Sequence, residues 1–140
     1  MKRPRAPTLE LRRPDGTSTY TTLEEFPFRV GRSESQHLQL RGTLISRSHC
    51  HFTLASGEDR DGGNRDGSGL CVEDSGSSNG SWVERTLPTG ETTRSRLSTS
   101  TPHHLRDGDR VMLGGEKPML GGAVLYFHAA QAEAMAKRGA

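Results

Sequence analysis

Along most of the chain, apolar and polar positions alternate in short runs, and runs of this length predict strands and not helices. Leu9 and Leu11 stand two apart, and after the turn signal Pro14-Asp15-Gly16 a second run covers Tyr20 to Leu23. Phe26, Phe28 and Val30 form a third. The loop Gly31 to Ser35 interrupts the pattern, His37-Leu38-Gln39-Leu40 resumes it, and the loop Arg41 to Ser48 leads into Cys50, Phe52 and Leu54. Leu70 to Val72, Trp82-Val83, Val111 to Leu113 and Ala123 to Phe127 complete the apolar runs. This is the pattern of an all-β domain, a two-sheet β-sandwich of about ten or eleven short strands over residues 8–128.

Three stretches fall outside it. Residues 56–69 hold no large apolar side chain, and residues 86–104 include nine Ser or Thr, so both read as long solvated loop insertions. Residues 1–7 carry three basic side chains and two prolines and read as a disordered arm. Residues 129–140, rich in Ala with Glu133 and Lys137 spaced i, i+4 ahead of Gly139, predict a short C-terminal helix.

Composition narrows the class. Leu, Ile, Val and Phe supply 24 of 140 residues, few for a helical bundle, while Gly (17), Ser (14) and Thr (13) crowd the connections. The longest uninterrupted apolar run is five residues, Ala123 to Phe127, where a membrane span needs about 20, so no membrane insertion is expected. The formal charge of +2 is too small to argue for nucleic-acid binding. With only Cys50 and Cys71, and no apolar stretch after the basic start, the expected setting is intracellular and reducing, with both thiols acting as small hydrophobes. The arm Lys2-Arg3-Pro4-Arg5 reads either as a nuclear import signal or as an untargeted tail.

The candidate chemistry lies in three polar loops, each abutting a strong strand: Gly31-Arg32-Ser33, Ser46-Arg47-Ser48-His49 and Ser77-Ser78-Asn79-Gly80-Ser81. Arg offers a planar fork of donors with a permanent charge, Ser a rotatable hydroxyl, and Asn an amide that both donates to and accepts from a peptide backbone. Brought together they would clamp a phosphopeptide. Two arginines roughly neutralise a phosphate monoester, which carries about −1.5 to −2 charges at neutral pH. Alternative chemistry is less well served. His49 and His51 lie two apart on a strand with Cys50 facing the other way, so they do not converge on a metal. Ser46, His49 and Asp74 lack the nucleophile elbow and oxyanion hole of a hydrolase, so neither catalysis nor a cofactor is expected.

The ordered set Gly31-Arg32, Ser46-x-x-His49, Ser78-Asn79-Gly80 and Gly108-Asp109 with Val111-x-Leu113-Gly114 resembles the forkhead-associated (FHA) domain, over about Leu9 to Phe127. The resemblance implies an FHA/SMAD-like sandwich of eleven strands whose loops at one end bind phosphothreonine peptides. On the matching positions, Arg32 and Ser46 would contact the phosphate, with Arg47 a second basic contact. Asn79 would hold the peptide main chain, with Ser78 as helper, while His49, Gly31 and Gly80 would support the loops. Ser81, Trp82 and Cys50 depart from the family's commoner Thr, Phe and Ala. The resemblance implies a phosphothreonine-containing protein as partner and favours a nuclear setting. The alternative is a scaffold of the same fold that binds its partner without phosphate. The Thr92 to Thr101 segment, once phosphorylated, could occupy the clamp of a second copy and so produce self-association.

Overall fold

Alternation builds strands because successive side chains point to opposite faces, and the buried faces here close on one another. The computed structural model describes residues 7–13, 15–54, 69–116 and 121–129. Its eleven strands are β1 (Thr8–Arg12), β2 (Ser18–Thr22), β3 (Phe28–Gly31), β4 (Leu38–Gln39), β5 (Cys50–Leu54), β6 (Leu70–Asp74), β7 (Ser81–Thr86), β8 (Thr92–Arg96), β9 (His103–His104), β10 (Arg110–Leu113) and β11 (Ala123–His128). They form a six-stranded sheet in the order β2-β1-β11-β10-β7-β8 and a five-stranded sheet in the order β4-β3-β5-β6-β9. All neighbours are antiparallel except β3 and β4.

Between the sheets, Leu9, Val83, Val111, Leu113, Leu125 and Phe127 of the larger one meet Phe28, Val30, Phe52, Leu70 and Val72 of the smaller. Cys50 and Cys71 are both buried. Burial, with the nearby Asp74 carboxylate adding to it, pushes the Cys50 thiol far up, so it stays protonated. Among the described residues no helix is long and apolar enough to cross a membrane.

The expected insertion over 86–104 is overturned: it contains β8 and β9. Strand β8 reads Thr-Thr-Arg-Ser-Arg with every residue exposed, so it has no apolar face for a pattern search to find. It forms because the turn over Leu87 to Glu91 folds it back, with the Leu87 N–H donating to the Glu91 carbonyl at 2.7 Å and Gly90 at φ +96. Register then pairs Trp82 with Arg96 and Thr86 with Thr92. The disordered arm is corrected at its last residue, since the Pro7 carbonyl accepts from the Leu23 N–H at 2.8 Å. The remainder of that arm, residues 1–6, and the insertion expected over 56–69, apart from Gly69, lie outside the described residues. So does the helix expected over 129–140, apart from Ala129, which is buried, extends from β11 and donates its N–H to Asp107.

Candidate functional site

Strand ends decide which loops meet. Val30 at the end of β3 pairs with Cys50 at the start of β5, Cys50 pairs with Asp74 at the end of β6, and Leu113 at the end of β10 pairs with Ser81 at the start of β7. The connections 32–37, 40–49, 75–80 and 114–122 therefore share one end of the sandwich. At the other end, the Gly108-Asp109 turn is fixed by a two-pronged Arg85 to Asp109 pair at 2.9 and 2.8 Å, on a carboxylate 1% exposed.

At the first end, the Arg32 N–H donates to the Ser46 carbonyl at 2.8 Å and its Nε–H to the Ile45 carbonyl at 3.0 Å. The side chain is exposed. Ser33 donates its N–H to the Arg47 carbonyl at 3.2 Å, and Arg47 is exposed beside it. So close an approach needs Gly31, because a β-carbon there would fall 2.1 Å from the Arg47 carbonyl oxygen. The Ser46 Oγ accepts the Ser78 N–H at 3.0 Å, and the Asn79 amide donates to the Leu44 carbonyl at 3.1 Å. The structure thus brings Arg32, Ser46, Arg47, Ser78 and Asn79 into one solvent-facing rim.

Beneath the rim, His49 is wholly buried. Its Nδ1 accepts the Ser46 N–H at 2.9 Å, which makes Nε2 the protonated nitrogen, and that nitrogen donates to the Gly80 carbonyl at 2.9 Å. This also dissolves the serine–histidine pairing of a hydrolase: the imidazole engages the backbone of Ser46, not its hydroxyl. His51 instead contacts Ser75 and Glu73, and no three metal-ligating side chains converge among the described residues.

Asp74 is the supporting residue that sequence reasoning missed, having weighed it only for a triad. Its carboxylate accepts the N–H groups of Gly76 and Ser77 and the hydroxyls of Ser77 and Ser81, at 2.6–2.9 Å. Burial alone would raise this carboxyl, but the four donors outweigh it and hold it below the usual range. The Asp-x-Gly-Ser order, a side chain capping the amides two and three residues on, was the available signal.

Comparison with known proteins agrees with this architecture. The FHA domain family matches residues 28–114, so the chain belongs to the forkhead-associated domain family. Similar solved structures include an FHA domain of an Arabidopsis thaliana hypothetical protein, 20% identical with a TM-score of 0.57, covering 93% of this chain and 92% of that one. The MEK1 FHA domain in complex with a HOP1 phosphothreonine peptide is 20% identical with a TM-score of 0.52 over 88% and 95% of the two chains. The FhaA FHA domain complexed with the intracellular domain of Rv3910 is 21% identical with a TM-score of 0.52 over 88% and 100%. At such identities the likeness is one of fold. Comparison with curated protein sequences finds no match.

Proposed function

We propose that this domain is a phosphothreonine-dependent protein–protein interaction module whose rim of Arg32, Ser46, Arg47, Ser78 and Asn79 holds the phosphopeptide. The observation that carries the reading is the convergence of these residues with unused donors facing water. Ser46 already accepts one hydrogen bond through its oxygen, so its proton is left to donate. Arg32 has Nε engaged, which turns its Nη groups outward. A phosphate dianion, which only accepts, is the complement of such a donor set. The phosphothreonine peptide on the MEK1 FHA domain supports the reading. Arg32 and Ser46 bind the phosphate with Arg47 as a second cation, and Asn79 and Ser78 engage the peptide backbone. His49, Gly31 and Gly80 keep the loops in place.

Each charge-assisted bond contributes about 1.5–3 kcal/mol, and peptide ordering offsets much of the sum, which leaves affinities of order micromolar, about −8 kcal/mol. The test is titration of a degenerate phosphothreonine peptide library and its unphosphorylated twin. Binding is expected for the phosphorylated set alone, weaker at higher salt. It should fall by about 100-fold or more in Arg32→Ala, as two such bonds imply. Asn79→Ala should also lose it. Equal affinity for both libraries would instead make the domain a phosphate-independent scaffold.

A further inference from the structure

Strand β8 ends at the phosphate rim in Arg96, an exposed residue paired in register with Trp82 on β7. Its guanidinium lies over the indole, 5.1 Å from the ring centre, close enough for attraction to the ring face. The ring in turn lies against Gly80. A β-carbon at Gly80 would fall 2.7 Å from two ring carbons and 3.3 Å from Arg96 Nη2. Gly80, indole and guanidinium thus form one stacked ledge, immediately following Asn79.

What separates Arg96 from its neighbours is the missing counter-charge. Arg94, two residues earlier on the same face, meets Glu84 at 3.0 Å and Glu116 at 3.6 Å. Arg110 meets the same Glu84 at 2.7 Å. Among the described residues no carboxylate pairs with Arg96. A cation held on an aromatic platform and left unneutralised can take an external anion with little further ordering. Ser78 is bonded to the Ser46 hydroxyl at 3.0 Å and stands two residues before Gly80, so the guanidinium is no more than about 17 Å from that hydroxyl. An extended peptide covers this in about five residues.

We propose that Arg96, mounted on Trp82, is an anion subsite that binds a carboxylate or a second phosphate carried by the same peptide within about five residues of the phosphothreonine. It rests on the phosphothreonine reading above. Its occupant is set by charge: an acidic side chain or a phosphoserine, bound beside Gly80 while the phosphothreonine occupies Arg32 and Ser46.

The experiment uses the whole chain and a neutral phosphothreonine peptide into which one Asp, or in a parallel series one phosphoserine, is placed at each nearby position in turn. One position should tighten binding by about threefold to tenfold. Arg96→Gln should abolish that gain while leaving affinity for the neutral peptide within about twofold, and Arg96→Lys should keep part of it. The chain's single tryptophan is Trp82, so its emission should shift with the acidic peptide and not with the neutral one. A larger gain from phosphoserine than from Asp assigns the subsite to a second phosphate, and the converse assigns it to a carboxylate. An undiminished gain in Arg96→Gln, or no position at which an anion helps, overturns the proposal. If no phosphothreonine peptide binds the native protein or the charge-retaining variant, the underlying reading fails and the subsite falls with it.

Discussion

Ser46, Arg32 and Asn79 each commit one polar group to the fold and turn the rest outward, which is how exposed side chains acquire a fixed direction. The same economy of partners governs Glu10 on β1. Its carboxyl is held at about 2, against an ordinary 4.5, chiefly by the Arg12 guanidinium, with burial opposing and His128 and Ser18 assisting. In the unfolded chain the carboxyl regains its ordinary affinity for protons, so stability present above pH 4.5 is lost as pH falls toward 2. Glu10→Gln should lower the thermal midpoint at neutral pH and flatten its decline across that acid range, as read by melting curves at stepped pH. Arg32, Ser46 and Asn79 were legible in the sequence because each sits next to a strong apolar run, among residues suited to turns. Glu10 was not, since beyond Arg12 its partners lie on β2 and β11, and only register brings Ser18 and His128 to it.

The loop between β6 and β7 shows what a single element contributes. Four donors converge on Asp74, so Asp74→Ala leaves amides and hydroxyls without their acceptor and should cost about 1–3 kcal/mol in denaturant unfolding. Phosphopeptide affinity should fall as well, although Asp74 lies behind the rim, because Ser78 and Asn79 ride on that loop. Asp74→Asn should recover part of both. Strand β8 was the element least visible in advance. Alternation reports burial, and a strand exposed on every residue has none to report. Only the Pro88-Thr89-Gly90 turn and the β-branched threonines marked it. Its arginines also suit an edge, where charge discourages pairing with another chain.

For the molecule as a whole, the two-sheet sandwich was readable from its inward-facing residues, because those are the positions that alternate. Whether a phosphorylated copy could engage a second one depends on which threonines the fold leaves available. Thr92 and Thr93, though exposed, are held in β8 opposite Thr86 and Arg85, whereas Thr99 and Thr101 lie exposed outside any strand. A phosphorylated copy engaging a second copy would therefore use Thr99 or Thr101. If such engagement occurs, light scattering of kinase-treated protein shows a dimer that disappears in an Arg32→Ala, Thr99→Ala, Thr101→Ala triple variant and reappears on mixing phosphorylated Arg32→Ala chains with unmodified ones. An unchanged mass after confirmed phosphorylation at both threonines would exclude it.

The imidazole of His49 joins Ser46 and Gly80, 34 positions apart in the chain, through its two nitrogens. Neither stretch can lift away alone, because a fluctuation that frees Gly80 also disturbs Ser46. The entropy of shaping this surface is thus surrendered once, as the chain folds, and not at each encounter. A partner meeting a surface already in its final form can be chosen stringently and still be released quickly.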